Sequence, residues 1–465
     1  MKKYILSLAL LAMASAANAQ TIEINYNGAE ATVNIPAEVT DVQADVDGAH
    51  VSLNSMTGSN EYTYRLTGAS QNGSLRLTGS YKLTLELAGV SLKSTQGAAL
   101  EVACGKRVAV VLKKGTENTL EDCKDGVQKA AMYFTGHPEF SGAGTLNVKG
   151  NTAHAISAKE YLQLKKSLGT LNILGAVKDG IHCGRDEVSA FDERVLSGED
   201  NFDNVKEYFF CNGGTVNISN CGGDCIDAGD YGCMLIKGGD LNLTVTSFDT
   251  SFDTSTDPPT GNNGLKSVNT FIQQGGHICI NVQGDDCDGL YVNNEARLLG
   301  GTLDINVLGN GSKGIKAKQK ADGDYPEGGH VTVADEAEVS IAARGGDYND
   351  QEKDDVSHCV GLSVDGNLTV GSEARVMVAS FASDARTCTC DGTLTGNVVE
   401  ATSAQPGDVK PNDGKLDAED VAIAVNFLLG NRTETAGYCK PVADYNQDGK
   451  LSIEDVTKII GSIIQ

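Results

Sequence analysis

The central part of the chain repeats one apolar–polar pattern with a period of about 25 residues. A first phrase, in which a glycine precedes alternating apolar and polar residues, begins at Gly144, Gly169, Gly214, Gly239 and Gly301. A second phrase is a small residue followed by Ile or Leu, and its apolar members are Ile156, Ile181, Ile226, Leu265, Leu290, Ile315 and Leu362. Short alternations of this kind are typical of strands, and a fixed period of about 20–50 residues is typical of solenoids.

The repeat therefore predicts a mainly β fold, a right-handed parallel β-helix over residues 75–399. Successive coils would lie about 4.8 Å apart, with the Ile and Leu residues of the second phrase stacked inside. Weaker copies of that phrase begin at Ala99 and Asp125. Residues 20–74 also alternate, and we interpret them as an N-terminal β cap on the first coil.

Departures from the regular period locate four insertions. They fall within residues 184–210, 246–262, 319–328 and 345–355, and all are polar or acidic with scattered aromatic residues. Loops that leave a regular scaffold are common places for binding sites.

The first 19 residues have the pattern of a secretory signal peptide. Lys2 and Lys3 precede an apolar run, and Ala17-Asn-Ala19 resembles a cleavage site. The pattern predicts an exported protein, extracellular or attached to the cell surface. No later apolar run reaches the roughly 18 residues that a membrane-spanning helix needs. The net charge of −25 argues against nucleic acid and anionic membranes as partners, and is compatible with bound cations.

The chain contains 13 cysteines, an odd number, so at least one has no partner within the chain. Cys183 and Cys279 fall in or beside strand phrases, where stacked buried thiols are at least as plausible as disulfides. None of the Cys and His spacings is typical of a zinc site.

Three segments carry a resemblance to a known family: residues 115–120, 143–148 and 178–181. Together they resemble the carbohydrate-binding β-helix family of exported bacterial proteins, over roughly residues 60–395. The resemblance implies a pectate-lyase-like fold and calcium-dependent binding of acidic plant polysaccharide such as pectin or polygalacturonate. The chain departs from the family by its long insertions and by Cys225, where glycine is expected.

Beyond Pro406 the apolar period becomes helical, and an acidic loop precedes the last helical segment. Residues 444–455 place oxygen-bearing side chains at positions 1, 3, 5, 9 and 12, with a glycine at position 6. This is the spacing of a calcium loop. The predicted ligands are Asp444, Asn446, Asp448, the backbone carbonyl of Lys450, and Asp455.

A related loop begins 36 residues earlier, with one inserted residue and with Pro411 at position 3. Its predicted calcium ligands are Asp408, Asp413, Asp417 and Asp420. The alternative for both loops is a solvated acidic turn. Two such loops, each leading into a helix, resemble a type I dockerin module over residues 407–465, joined by a linker at residues 400–406. The resemblance implies a small all-α calcium-binding domain and a cohesin-like protein partner.

Aspartates also recur in the solenoid, several of them directly before the small residue of the second phrase. Equal positions in adjacent coils stack, and two carboxylates about 4.8 Å apart repel by roughly 3.5 kcal/mol at an effective dielectric constant of 20. A bridging calcium ion would convert this repulsion into binding, whereas the alternative is solvated aspartate in glycine-containing turns. The predicted ligands are Asp179, Asp224, Asp227, Asp285, Asp286 and Asp288.

The residue after each stacked Ile or Leu should face outward and form a column along the solenoid. The candidate saccharide contacts in this column are His182, Asp227, Lys266, Tyr291 and Lys316. Lysine would pair with sugar carboxylates and tyrosine would stack on a sugar ring. The alternative is an ordinary polar surface.

The combined interpretation is a non-catalytic, exported, calcium-dependent polysaccharide-binding protein, attached to a complex or surface through its C-terminal module. An alternative is a pectate-type polysaccharide lyase, in which calcium acidifies a proton beside the uronate carboxylate and Lys266 or Lys316 removes it, near Asp286 and Asp288. A third interpretation is an adhesin or scaffold part in which the solenoid is only a spacer.

Overall fold

The computed structural model of this protein describes most of the chain. The described residues are 20–184, 208–229, 232–247, 261–320, 325–350, 355–410, 413–431 and 438–464. The predicted signal peptide lies outside them, as do residues 185–207 and 248–260 of the two longest insertions.

Parallel strands wind into a solenoid with three faces, which we number 1 to 3. Face 1 consists of Val42–Asp47, His50–Ser55, Ser74–Gly79, Leu100–Ala103, Ala130–Phe134, His154–Ala158, Ile181–Cys183, Ile226–Asp227, Asn263–Ser267, Asp288–Val292, Lys313–Ala317, Val360–Val364 and Arg386–Cys390. After the antiparallel pair that opens it, every strand of this face pairs in parallel with the corresponding strand of the next coil.

Faces 2 and 3 form one continuous sheet because the long strand Leu83–Lys93 pairs with Arg107–Leu112 of face 2 and with Glu117–Glu121 of face 3. Face 2 continues with Arg107–Leu112, His137–Ser141, Leu162–Leu164, Tyr208–Cys211, Cys233–Ile236, Thr270–Gln273, Glu295–Leu298, His330–Val333, Leu368–Val370 and Leu394–Thr395. Face 3 contains Thr21–Asn27, Glu30–Asn34, Thr63–Ser70, Glu117–Glu121, Thr145–Gly150, Thr170–Ala176, Thr215–Ile218, Asp240–Val245, His277–Val282, Gly301–Val307, Ala337–Ala343, Arg375–Ser380 and Val399–Ala401. A separate antiparallel hairpin joins Tyr348–Asp350 to Asp355–Ser357.

The predicted apolar column is confirmed. Ile156, Ile181, Ile226, Leu265, Leu290, Ile315 and Leu362 are direct neighbours in register, and each is at most 1% exposed. The prediction was wrong at one weaker copy. The phrase that begins at Asp125 places Val127 on the surface, 90% exposed, and Met132 takes the column position between Leu100 and Ile156. The spacing between this copy and the next one, which begins at Ala155, departs from 25 residues, and residues 125–127 lie in a turn.

The small residue of the second phrase is required by packing against face 3. A Cβ atom added to Gly264 would come within 2.8 Å of an Ile280 methyl group, and one added to Gly314 within 2.7 Å of an Ile341 methyl group. Contacts this short force the neighbouring atoms to shift. The glycines therefore allow the strands of face 1 to approach the opposite face closely.

The two ends of the solenoid differ from its regular coils. Within the predicted 20–74 cap, antiparallel pairs form at residues 21–34 and 42–55, but Thr21–Asn27 already runs parallel to Thr63–Ser70. At the other end, Val399–Ala401 pairs in parallel with Arg375–Ser380, so the last strand reaches into the predicted linker.

The C-terminal segment, residues 407–464, contains two α-helices, Ala418–Leu428 and Ile453–Ile464, and a 3₁₀ helix, Lys440–Ala443. Its own core is small and comprises Val409, Ile423, Ala424, Ala443, Val456 and Ile459. A second apolar cluster joins the segment to face 3 and comprises Ala342, Met377, Ala379, Ala401, Cys439 and Val442. The segment therefore packs on the side of the solenoid. Within the described residues, neither helix has the length and apolar composition needed to cross a bilayer.

Every cysteine lies in the described part of the chain, and all are free thiols there. Cys225, which replaces the expected glycine, is fully buried, as is Cys183. Burial raises the pKa of Cys211 to about 12, so such a thiol stays protonated and behaves as a small apolar side chain.

Candidate functional site

Two columns of polar side chains run along one edge of face 1, and we call them together the polar strip. The column after the stacked Ile and Leu residues comprises Ser157, His182, Asp227, Lys266, Tyr291, Lys316 and Ser363. The column before the small residues comprises His154, Asp179, Asp224, Asn263, Asp288 and Lys313. All five predicted saccharide contacts therefore lie on one line, as the sequence predicted. The expectation that each faces outward was wrong for Asp227, which is only 5% exposed because it lies between His182 and Lys266.

At one end of the strip, two histidines surround an aspartate. The Nδ1 atoms of His154 and His182 lie 3.1 Å and 3.2 Å from Oδ2 of Asp179. The two imidazole rings stack with centroids 4.5 Å apart. Burial disfavours charge on His182, but the carboxylates of Asp179 and Asp227 outweigh it and raise its pKa to about 10. Burial also opposes ionisation of Asp179, yet the two histidines hold its pKa well below the usual range.

The next aspartates along the strip are linked by hydrogen bonds from coil to coil. Oδ1 of Asp179 accepts the backbone N–H of Asp224 at 2.9 Å, and Oδ1 of Asp224 accepts the backbone N–H of Asn263 at 2.7 Å. Burial raises the pKa of Asp224 to about 7, with Lys266 acting against the shift and the neighbouring carboxylates adding to it. These carboxylates therefore fix the register of the coils as well as carrying charge.

Two lysines neutralise carboxylates in the middle of the strip. Nζ of Lys266 lies 3.4 Å from Asp227 and 3.6 Å from Asp224. Nζ of Lys316 lies 3.0 Å from Asp288 and 5.7 Å from the centre of the Tyr291 ring. The charge of Asp288 raises the pKa of Lys316, so this lysine retains its proton.

The predicted calcium ligands of the solenoid form several groups rather than one. Asp285 accepts the backbone N–H of Asn310 at 2.7 Å, and Asp286 accepts the hydroxyl of Ser357 at 2.8 Å, so both stabilise turns. Oδ1 of Asp288 and Oδ1 of Asn263, which are register partners, are buried without a hydrogen-bond partner in the described part of the chain. This pair of oxygens is the part of the solenoid that best fits a calcium ion.

In the second C-terminal loop, two of the predicted ligands accept hydrogen bonds from backbone N–H groups of the loop itself. Asp444 and Asp455 are buried, whereas Asp448 is exposed. Oδ1 of Asp455 accepts the backbone N–H of Asn446 at 3.0 Å, and Oδ2 of Asp444 accepts that of Gly449 at 2.9 Å. Gly449 has a φ of 85°, the left-handed conformation that the turn requires.

The first C-terminal loop repeats this arrangement around Asp420. Its Oδ1 accepts the backbone N–H of Val409 at 3.0 Å and its Oδ2 that of Asp417 at 2.8 Å. Asp413 accepts the backbone N–H of Lys415 at 3.0 Å. Both oxygens of the buried Asp408 carboxyl lack a hydrogen-bond partner within the described residues. Burial, together with the charges of Asp420 and Asp413, raises the pKa of Asp408 to about 7.

An unpartnered buried carboxylate among other carboxylates is unstable unless it is protonated or bound to a cation. The ligands are oxygen atoms, which calcium prefers. The residues of both loops therefore fit calcium, and the first loop fits it on stronger structural grounds than its irregular sequence indicated.

No pattern in the sequence predicts that the second loop lies against the solenoid. Nδ2 of Asn306 donates to Oδ2 of Asp444 at 3.1 Å, and Nζ of Lys440 donates to Asp304 at 2.8 Å. Arg344 donates to the backbone carbonyls of Pro441 and Asp444 at 2.9 Å and 3.0 Å. Asn306 and Asp304 lie on face 3, and Arg344 directly follows one of its strands, so this face holds the loop directly.

Sequence reasoning also missed His154 and two concave surfaces. His154 lies 25 residues before Asp179 in the sequence, one coil period, and that spacing was the available signal. A cavity of about 530 Å³ reaches His154 and His182. A groove of about 1120 Å³ at another corner is lined in part by Lys165, Lys166 and Lys237.

Comparison with known proteins identifies the family of the chain. Residues 48–311 match the family described as carbohydrate-binding domain-containing protein. No curated protein matches the chain. Among solved structures, the chain is similar to the polysaccharide lyase-like protein from C. thermocellum, solved as a gadolinium derivative, with 16% identity and a TM-score of 0.40, over 63% of this chain and 93% of that one. Because the family match spans more than half of the sequence, the protein belongs to the family of carbohydrate-binding domain-containing proteins.

Proposed function

We propose that the protein is an exported polysaccharide-binding protein and that a sugar chain lies along the polar strip. The observation that carries this proposal is the in-register column from Ser157 to Ser363. Its partly exposed members are His182, Lys266, Tyr291, Lys316 and Ser363. Groups repeated at a constant spacing of about 4.8 Å suit a ligand that is itself a repeating chain. Membership of a carbohydrate-binding family supports the same ligand class.

Within the strip, Tyr291 is the proposed stacking residue. Its side chain is half-buried, and Lys316 lies near its ring on the same face. An aromatic ring provides a flat apolar surface, and the lysine provides a hydrogen-bond donor beside it. Lys266 and His182 would donate to sugar oxygens in the neighbouring coils.

An acidic polysaccharide, such as a pectic chain, is the proposed ligand. A protein with a net charge of −25 repels a polyanion, so binding requires local positive charge. Lys266 and Lys316 are already paired with aspartates of the strip, so they offer hydrogen-bond donors without an excess of positive charge. Calcium shared between protein carboxylates and sugar carboxylates would supply this charge, and the Asn263 and Asp288 oxygens are the proposed protein ligands.

The C-terminal segment is proposed as a calcium-stabilised attachment module for a cohesin-like partner. The residues that would hold calcium are Asp408, Asp413, Asp417, Asp420, Asp444, Asn446, Asp448, Lys450 and Asp455. Several apolar side chains at the ends of its helices face solvent, among them Leu429 at 75%, Ile453 at 70% and Ile464 at 78% exposure. These exposed apolar side chains are the proposed contacts of the partner.

The test is retention of the full chain on immobilised polygalacturonate with calcium and with chelator. Tyr291→Ala should weaken binding about 5- to 150-fold, taking for the sugar ring the about 1–3 kcal/mol that a nucleic-acid base contributes when it stacks on an aromatic side chain. Tyr81→Ala is the matched control, since Tyr81 is also half-buried and has Lys82 near its ring, 5.9 Å from the centroid. Equal weakening by both variants, or retention unaffected by either, would contradict the proposed strip.

The lyase alternative is examined in the same mixture. A lyase forms an unsaturated product whose ultraviolet absorbance rises with time. Lys316 carries a raised pKa, which makes it a poor base, and Lys266 lies between two carboxylates. We therefore expect retention without an increase in absorbance. An increase that Lys266→Met or Lys316→Met abolishes would establish the lyase instead.

A further inference from the structure

The strip ends in a cluster of titratable side chains whose close approach is not explained by the donor role proposed for His182. His154 comes from one coil, Asp179 and His182 from the next, and Asp227 from a third. One ligand atom from each of the first three residues lies within 4.8 Å of the others. Asp227 is a further neighbour, with Oδ2 3.3 Å from Nδ1 of His182.

The hydrogen-bond pattern leaves this cluster unsatisfied. Nδ1 of His154 accepts the backbone N–H of Asp179 at 3.3 Å, so it carries a lone pair while it faces a carboxylate oxygen 3.1 Å away. Nδ1 of His182 is buried and makes no hydrogen bond of acceptable geometry to any described residue, although two carboxylates lie within 3.3 Å. A proton on His182 neutralises part of this cluster, whereas a single metal ion that displaces the proton would contact all of these atoms.

We propose that His154, Asp179 and His182 bind a divalent transition-metal ion of the zinc type. Zinc takes imidazole nitrogen and carboxylate oxygen at about 2.0–2.2 Å, so two ligands of a tetrahedral ion lie about 3.3 Å apart. The observed separations of 3.1 Å and 3.2 Å are close to this value. Imidazole ligands favour zinc, copper, nickel or iron over calcium, so this site is chemically distinct from the oxygen-lined calcium loops.

Three protein ligands leave one coordination position for a water molecule or another oxygen. The cavity of about 530 Å³ borders both histidines and is also lined by Glu101, Gln128, Tyr133 and Lys159. A ligand oxygen can therefore approach the ion from the cavity. The site itself does not depend on the proposed polysaccharide binding, because it consists of side chains that the coil register alone brings together.

Calorimetric titration of the full chain with zinc chloride, in excess calcium chloride, tests the site. Excess calcium occupies the oxygen-lined loops, and the free thiols are common to all variants. His154→Gln and His182→Gln should each weaken one zinc equivalent by at least about tenfold, because even residues that only support a ligand contribute about 10- to 100-fold. His358→Gln is the control, since His358 also lies beside a carboxylate, 2.7 Å from Asp347, but outside the cluster.

Cobalt absorption and anomalous diffraction locate the ion. Cobalt bound by the wild type should give the visible bands of nitrogen ligation, and these should disappear in both histidine variants. Crystals grown with zinc should show an anomalous peak between His154 and His182. Unchanged zinc affinity in both variants, or a peak elsewhere only, would overturn the proposal, and unaltered metal-free circular dichroism would show that each variant is folded.

Discussion

The solenoid and the C-terminal segment both bury aspartates, but they neutralise them differently. In the solenoid, His182, Lys266 and Lys316 lie beside the carboxylates. In the C-terminal segment, Asp420, Asp444 and Asp455 accept mainly backbone N–H groups, and Asp408 has no hydrogen-bond partner among the described residues. The burial of an aspartate alone therefore does not indicate where calcium contributes most to stability. We expect stability to depend most strongly on calcium where no cationic side chain of the protein lies beside the buried carboxylates.

The two regions also differ in how they are stabilised. Leu290 belongs to one continuous core that extends from Ile22 to Val378. The C-terminal segment has a core of six buried residues and a further cluster shared with face 3. Segments of this size seldom fold securely without metal ions, disulfides or a docking surface. The stability of the solenoid should therefore depend mainly on packing of its core. The stability of the C-terminal segment should depend mainly on bound ions and on its contact with face 3.

The largest expected effect is a cavity in the solenoid core. Leu290→Ala should lower the free energy of unfolding by about 2–5 kcal/mol, because Leu290 is fully buried between Leu265 and Ile315. Urea denaturation followed by circular dichroism measures the change. Leu174→Ala is the control, since Leu174 is a strand residue with 49% exposure and should shift stability by no more than about 0.5 kcal/mol. Equal losses in the two variants would contradict the stacked column.

The second prediction is that calcium stabilises the C-terminal segment more than the solenoid within the same molecule. At a free calcium concentration of about 100 times the dissociation constant, each occupied site should stabilise its region by about 2.7 kcal/mol. Hydrogen exchange of the full chain should therefore show protection of residues 438–464 that chelator removes. Protection around Ile181 and Ile226 should change much less. A larger effect in the solenoid would reverse the comparison and place the main calcium sites at Asp179, Asp224 and Asp288.

A further prediction concerns the helix content of the C-terminal segment when it is separated from the solenoid. Residues 407–465 alone should be largely unfolded in chelator and become helical when calcium is added, because their small core forms around the loops. The full chain should retain more of this helix in chelator, since face 3 supports the second loop. Equal helix content of the isolated segment in both conditions, measured by circular dichroism, would show that its fold does not require calcium.

Much of the solenoid could be predicted from the sequence because its apolar and polar positions repeat with a regular period. Each apolar position repeats the environment of the one before it, so the seven stacked residues and the outward column followed from spacing alone. Val127 was misplaced because the spacing there is irregular. His154 was missed because it lies outside the phrase, although it is one period before Asp179. Docking of Asp444 on Asn306 joins residues 138 positions apart, and no local pattern encodes such a contact.

A third prediction concerns one substitution that should raise the stability of the C-terminal segment without calcium and lower it with calcium. Asp408→Asn removes a buried, unpartnered charge, so in chelator it should stabilise the C-terminal segment by about 1–3 kcal/mol. With saturating calcium the same substitution removes a ligand and should destabilise it by a similar amount. Hydrogen exchange of residues 413–431 measures both conditions. Asp45→Asn, at an exposed position, should have no effect in either. A loss of stability in both conditions would show that Asp408 has a structural partner instead of an ion.

The smallest expected effect concerns the contact between the two regions. Lys440→Met removes the ion pair with Asp304 but keeps the aliphatic stem, so the segment should lose about 0.5–1 kcal/mol of docking free energy. Solvent screens this pair less than an exposed pair, because the Asp304 side chain is only 8% exposed and that of Lys440 is 29% exposed. Lys458→Met is the control, since its pair with Glu454 lies on an exposed helix surface. Increased exchange of residues 438–443 in the Lys440 variant alone would confirm that face 3 holds the second loop. Identical exchange in both variants would mean that Arg344 and the apolar cluster are sufficient, and that the segment can leave the solenoid only when those contacts are broken.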